Sequence, residues 1–85
     1  MVGARVSYKR CLVWGGGTGI GRAGAEALLQ DGATVFLAGR RGAVVAEAAA
    51  ALGAAGHAAG DATLDADVAR VTAEAAQAMG ASIPC

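Results

Sequence analysis

The chain has 85 residues, of which 55% are hydrophobic and 16% charged, and its seven basic and seven acidic side chains cancel. The zero net charge provides no field that would attract nucleic acid or an anionic membrane surface. Every stretch of about 18 residues contains a charged residue or a glycine, so no transmembrane helix is predicted.

The cysteines and the N-terminal residues favour a cytoplasmic protein. Cys11 and Cys85 lack the spacing of metal ligands and are predicted to be reduced thiols rather than a disulfide. The N-terminal residues lack the continuous apolar core of a secretory signal. We therefore predict a cytoplasmic location, with no metal site.

The first predicted elements are a strand, a glycine-rich turn and a helix. Residues 10–14 are predicted to form a short strand that is buried on both faces. After the turn, apolar residues recur at three- and four-residue spacing, which predicts an amphipathic helix. This helix is expected to end at Asp31-Gly32, where glycine suits the left-handed conformation.

Two further strands and a helix follow. Residues 33–38 predict a second buried strand, and a helix is expected from about Gly42 to Leu52, closed by Gly53. Residues 54–60 have poor β propensity, and only the order of elements predicts a third strand there.

A third helix is predicted from Asp65 to Met79, with Thr63 or Asp65 as its N-cap. Strands and helices that alternate in this way predict right-handed crossovers onto one parallel sheet, with two helices on one face and the third on the other. The predicted fold is α/β, a Rossmann-type sheet of β-α-β-α-β-α order, truncated after the third helix. The expected buried face of the third helix contains Val68, Val71, Ala75 and Met79.

The glycine-rich turn predicts an anion site, because glycine lets a ligand approach the backbone and the first N–H groups of a helix lack internal partners. A P-loop is rejected, since the frame that starts at Gly16 places Arg22 and Ala23 where lysine and serine or threonine are needed. The ordinary Gly-x-Gly-x-x-Gly fingerprint fits residues 19–24 but leaves residues 15–18 as extra loop.

A third motif uses the extra loop. The pattern Gly15-x-x-x-Gly19-Ile20-Gly21 after a strand resembles the Thr-Gly-x-x-x-Gly-x-Gly turn of the short-chain dehydrogenase/reductase family. Trp14 stands where that family usually has threonine and is predicted to be a packed residue at the strand end. Two more segments share the resemblance, which runs from residue 10 to residue 80. They are Leu37-Ala38-Gly39-Arg40-Arg41 and Gly60-Asp61-Ala62-Thr63.

The resemblance implies a dinucleotide site. Asp61 and Ala62 match the family pair that meets the adenine edge, where the carboxylate accepts a hydrogen bond from the amino group. The alternative is that Asp61 is only an acid near a helix N-terminus. The turn residues implied to contact the adenosine ribose and pyrophosphate, or to shape the turn, are Gly15, Gly17, Thr18, Gly19, Ile20 and Gly21.

The end of the second strand predicts which dinucleotide binds. NAD-binding folds place an acid about twenty residues after the glycine motif, on the ribose 2′-hydroxyl. Here that position is Gly39, followed by Arg40 and Arg41. A guanidinium can bind a 2′-phosphate through paired charge-assisted hydrogen bonds, so NADP(H) is favoured over NAD(H). Arg40 is the main candidate for binding the 2′-phosphate. Arg41 could bind it too, but it could equally be a solvent-exposed residue at the start of the following helix.

The family transfers hydride between a nicotinamide and an alcohol or carbonyl carbon, using a serine and a Tyr-x-x-x-Lys pair on one helix. The chain's one tyrosine and one lysine, Tyr8 and Lys9, are adjacent and precede the first strand. The resemblance therefore implies an NADP(H)-binding N-terminal segment of a short-chain dehydrogenase/reductase-like oxidoreductase, with no catalytic residues, no turnover alone and an unknown substrate. Residues 1–85 would form a single partial dinucleotide-binding domain, without the catalytic half.

Two alternatives remain open. The chain could be a non-catalytic nucleotide-binding or interaction module, in which the open edge of the first strand pairs with a partner or forms a homo-oligomer. It could also be an unstable truncated product.

Overall fold

A computed structural model of the chain describes residues 10–15 and 19–80. Three strands and three helices alternate along the sequence, and this confirms the predicted order. The elements are β1 (Arg10–Trp14), α1 (Gly19–Gln30), β2 (Thr34–Gly39), α2 (Gly42–Leu52), β3 (Gly56–Ala59) and α3 (Asp65–Met79).

The strands form one parallel sheet in the order β1-β2-β3. Leu12 of β1 lies opposite Phe36 of β2, and Phe36 lies opposite Gly56 of β3. Four successive residues of the central strand β2 are buried. Since successive side chains of a strand point to opposite sides, this strand is covered on both faces. The structure is therefore a Rossmann-type α/β fold, as predicted.

Two apolar layers cover the sheet. On one face, Val35 and Leu37 of β2 pack with α1 and α2, whose contacting residues include Ala25 and Ala48. On the other face, the apolar layer contains Phe36, Ala38 and Ala58 of the sheet and Val71, Ala75 and Met79 of α3. The predicted distribution of the helices is confirmed, and Val68 of α3 is half-buried rather than part of this core.

The third strand is shorter than the predicted 54–60. The amides of Gly53 and Ala54 both donate to the carbonyl of Ala49, so α2 still uses these residues to close its last turn. Gly53 adopts the left-handed conformation, with φ of 76°, as predicted for this position. The strand begins after this helix closure.

The predicted N-cap of α3 is wrong. The N-cap residue is Leu64, which makes no side-chain capping hydrogen bond. The hydroxyl of Thr63 donates to Asp61 instead, and Asp65 already lies inside the first turn. At the other end of α3, Arg10 Nε of β1 donates to the carbonyl of Met79 at 2.8 Å, which satisfies one of the terminal carbonyls.

Within residues 10–15 and 19–80, none of the helices has the length and apolar character needed to cross a bilayer.

Candidate nucleotide site

A cleft of about 320 Å³ lies at the carboxyl ends of the three parallel strands. Ligands of open α/β sheets bind at this edge, where loops rather than strands surround the space. The wall of the cleft is formed by residues at the ends of β1, β2 and β3 and by the residues that follow these strands. Its lining residues are Trp14, Gly15, Gly39, Arg40, Gly60, Asp61, Ala62 and Thr63.

Gly15 continues β1 into the cleft. Its amide donates to the carbonyl of Ala38 at 2.7 Å, and its φ is 75°, a conformation that glycine adopts without a steric penalty. A Cβ at Gly15 would have no neighbour within 4 Å among the residues that the structure describes, so none of these residues blocks a ligand there. Gly17 and Thr18 lie outside the described residues.

The first turn of α1 lies beyond the lined part of the cleft. The lining does not include Gly19, Ile20 or Gly21, and the Ile20 side chain is 92% exposed. In the ordinary fingerprint the third glycine permits close helix–strand packing. That glycine would be Gly24, but it is exposed, and a Cβ there would have no neighbour within 4 Å in residues 10–15 and 19–80. The longer loop, with Gly15 as its first glycine, fits this geometry better.

The end of β2 brings one of the two arginines to the cleft. A Cβ at Gly39 would lie 2.9 Å from Val45 Cγ2, closer than such atoms normally approach, so glycine lets α2 pack close to the end of the strand. Arg40 then lines the cleft and is exposed to solvent. Arg41 is the N-cap of α2 and is absent from the lining.

The residues after β3 form a tight turn beside the cleft. The amide of Gly60 donates to the carbonyl of Gly39 at 2.9 Å, and the amide of Leu64 donates to the carbonyl of Asp61 at 3.0 Å. Asp61 Oδ1 accepts hydrogen bonds from the amide of Thr63 at 2.9 Å and from its hydroxyl at 2.7 Å. The carboxylate therefore stabilises the turn and does not bond to the first amides of α3.

The second carboxylate oxygen of Asp61 remains available to accept a hydrogen bond from a ligand. Its Oδ2 atom makes no hydrogen bond with the part of the chain that the structure describes. The hydroxyl and then the amide of Thr63 lower the pKa of Asp61, and the positive charge of Arg40 lowers it further. The carboxylate is thus ionised at neutral pH, and it lines the same cleft as the positively charged Arg40 side chain.

Replacing Thr63 by valine is expected to raise the pKa of Asp61, because the hydroxyl donor is lost while the amide donor remains. A depressed pKa contributes stability above the ordinary aspartate value of about 3.9, and this stability disappears as the pH falls through the folded pKa. The pH-dependent stability that Asp61 contributes should therefore be smaller in Thr63→Val, and its loss should be complete at a higher pH than in the parent chain. Carboxyl ¹³C chemical shifts measured against pH would test this, with Thr63→Ser as control. An equal pKa of Asp61 in both variants would contradict the assignment.

Sequence reasoning missed two features of the site. Trp14 packs against the α3 face of the sheet, as predicted, but its half-buried side chain also lines the cleft. Asp67 and Arg70 of α3 hydrogen-bond to the backbone around the turn. An acid and an arginine three residues apart at a helix start could have signalled an ion pair, although not its contact with the preceding loop.

A parallel sheet with helices on both faces and a ligand-sized cleft at the carboxyl ends of its strands defines a Rossmann-type α/β protein. The family follows from sequence: a model described as short chain dehydrogenase matches residues 9–82. The chain belongs to this family, and the resemblance stated above is confirmed. No curated protein sequence matches the chain.

The solved structures that are similar to this chain include one with the same family description. A putative short-chain alcohol dehydrogenase from Sinorhizobium meliloti 1021 is 33% identical, with a TM-score of 0.78 over 88% of this chain and 31% of that one. The Pseudomonas aeruginosa RhlG/NADP complex is 36% identical, with a TM-score of 0.69 over 86% and 29%. A protein described as ribose-5-phosphate isomerase from Brucella melitensis 16M is 34% identical, with a TM-score of 0.75 over 82% and 27%. This chain thus spans about a third or less of the length of these three proteins.

Proposed function

We propose that this chain binds the adenosine half of NADP(H) in the cleft at the strand ends, as the cofactor-binding part of a short-chain dehydrogenase/reductase-like oxidoreductase. The observation that carries the proposal is that Arg40 and Asp61 line one cleft in a member of this family. A cation and an acceptor so placed match the 2′-phosphate and the adenine amino group of NADP(H). The similar Pseudomonas aeruginosa protein in its NADP complex supports this choice of cofactor.

Each end of the proposed ligand has a partner of suitable chemistry. The Arg40 guanidinium, exposed at the cleft, would bind the 2′-phosphate, and no carboxylate at the end of β2 would repel it. Asp61 Oδ2 would accept from the adenine amino group, next to the backbone of Ala62. The open backbone at Gly15 would admit the adenosine ribose.

The remaining turn residues would extend the site toward the pyrophosphate. Gly19, Ile20 and Gly21 form the N-terminus of α1, where exposed amides and the helix dipole favour an anion. We also assign Gly17 and Thr18 to this part of the site on the family resemblance alone, and Arg41 to its outer rim.

In the complete family the nicotinamide of the bound cofactor supplies or accepts the hydride. We propose that the same reaction on an alcohol or carbonyl substrate is the activity of the whole protein. This chain's part is to bind and orient the adenosine end, and we expect no turnover by the 85 residues alone. The cytoplasmic location stays a prediction.

A comparison of two adenosine nucleotides tests the proposed function. Adenosine 2′,5′-bisphosphate and adenosine 5′-monophosphate differ only in the 2′-phosphate, so isothermal titration calorimetry with each measures what that group contributes. We expect the bisphosphate to bind at least about tenfold more tightly, because a guanidinium–phosphate contact is charge-assisted.

Equal affinities for the two nucleotides would contradict NADP(H) selectivity. An absence of binding, together with self-association in sedimentation experiments, would instead favour an interaction module. One observation already fits that module: β1 is one of the two edge strands of the described sheet and pairs with β2 only.

A further inference from the structure

Two side chains of α3 hold the backbone on either side of Gly60. Asp67 Oδ2 accepts a hydrogen bond from the amide of Asp61 at 2.9 Å. Arg70 Nη2 donates to the carbonyl of Ala59, the last residue of β3, at 2.7 Å. The β3–α3 connection is therefore tied to the helix at two successive points, immediately before the turn that presents the Asp61 carboxylate.

The two side chains act as one unit. Arg70 Nη2 lies 3.7 Å from Asp67 Oδ1, so the same guanidinium contacts both the strand end and the acid that holds the turn. Nη1 of Arg70 contacts Glu74 Oε2 at 3.1 Å on the outer side. The Asp67 side chain is about one-third exposed, which makes its hydrogen bond to the Asp61 amide less accessible to water than the outer ion pair.

Gly60 makes this approach possible. A Cβ at that position would lie 3.0 Å from Val71 Cγ2 and 3.2 Å from Arg70 Nη2. Glycine thus allows the first two turns of α3 to reach the strand end. The position of the cleft wall is set by contacts from the helix, rather than by the turn alone.

We propose that Asp67 and Arg70 are positioning residues of the nucleotide site, which fix the Asp61 carboxylate and the Ala62 backbone for the adenine edge. This inference rests on the proposed function. Neither residue lines the cleft, so both act through the backbone of the turn. Without the Asp67 carboxylate, the Asp61 amide loses its charged acceptor, and the turn is free to move in order to reach water.

A rival explanation is that Asp67 serves only α3. Asp65 and Asp67 both lie in the first turn, where a negative charge stabilises a helix N-terminus through the dipole. Asp65 provides the matched control, because it shares the charge and the helix end but makes no side-chain hydrogen bond with the residues described.

The test compares Asp67→Ala, Asp67→Asn and Asp65→Ala in the 85-residue chain, with adenosine 2′,5′-bisphosphate as the probe. We expect Asp67→Ala to bind about tenfold more weakly, the size associated with a lost hydrogen bond to a charged acceptor. Asp67→Asn keeps an oxygen acceptor and should restore most of the affinity. Asp65→Ala should bind like the parent chain. Hydrogen exchange of the Asp61 amide should accelerate in Asp67→Ala and not in Asp65→Ala.

Equal affinities of Asp67→Ala and Asp65→Ala would overturn the positioning role, as would a failure of Asp67→Asn to recover affinity. If Asp67→Ala does not fold, Arg70→Lys decides, since it keeps the charge but removes Nη2, the atom that contacts both the Ala59 carbonyl and Asp67 Oδ1. Parent-like affinity in Arg70→Lys would then overturn the inference. A parent chain that does not bind the bisphosphate overturns the proposed function as well, whereas a binding parent with unaffected variants overturns the positioning role alone.

Discussion

Replacing Arg40 by alanine is expected to weaken the binding of NADPH about 10- to 100-fold, which corresponds to the roughly 1.5–3 kcal/mol of hydrogen bonds to a charged group. The affinity for NADH should change little, because NADH has a hydroxyl where NADPH has the 2′-phosphate. Arg40→Glu should weaken NADPH binding further, since it replaces attraction by repulsion at the same place. Calorimetric titrations of each variant with both dinucleotides measure the effect.

Two other arginines serve as comparisons. Arg22 forms an ion pair with Glu47 at 3.0 Å outside the cleft, so Arg22→Ala removes the same charge without touching the proposed site. We expect its NADPH affinity to match that of the parent chain. Arg41→Ala should show a smaller loss than Arg40→Ala, because Arg41 does not line the cleft. If Arg22→Ala and Arg40→Ala lost equal amounts of NADPH affinity, the loss would be explained by the change in net charge alone. This result would contradict the 2′-phosphate role of Arg40.

Truncating Leu37 to alanine is expected to lower the free energy of unfolding by about 2–5 kcal/mol, the cost of removing a large buried side chain and leaving a cavity. Leu37 is 0% exposed at the centre of β2, where it packs against α1 and α2. Globular domains are stable by only about 5–15 kcal/mol, so much of the margin would disappear. Urea denaturation followed by circular dichroism measures the change.

Leu64→Ala is the matched control for this variant. The Leu64 side chain is 53% exposed and makes no capping hydrogen bond at the N-cap of α3, so the same truncation should change the free energy of unfolding by less than about 0.5 kcal/mol. Similar losses in the two variants would contradict the burial of β2 between two helical layers.

The strongly patterned parts of the fold could be predicted from the sequence. The strands β1 and β2 are short, mainly apolar runs, although β1 was predicted to be buried on both faces and only its Cys11 is fully buried. The helix α2 ends at a glycine that adopts the left-handed conformation. β3 was harder, because Gly56–Ala59 contains no large apolar residue and because the end of α2 uses the amide of Ala54. The α3 cap was mispredicted since Thr63 has two possible local partners, and its hydrogen bonds go to Asp61.

The residues of the site also fall into those that the sequence could predict and those that it could not. Arg40 and Asp61 were accessible to sequence reasoning because Arg40 directly follows β2, Asp61 lies two residues after β3, and parallel strands bring their carboxyl ends together. Asp67 and Arg70 were not, because their contacts with the turn depend on how closely α3 approaches the sheet at Gly60. Motifs thus predict the residues that face a ligand, whereas packing determines the residues that support them.

Trp14 has a practical consequence beyond its packing. It is the one tryptophan of the chain, and its half-buried indole lies in the wall of the cleft. Tryptophan emission depends on the water around the indole, so a single intrinsic fluorophore reports on this edge of the sheet. The substitution of the usual threonine by tryptophan thus gives the chain an optical probe at the place where a nucleotide is proposed to bind, without any attached label.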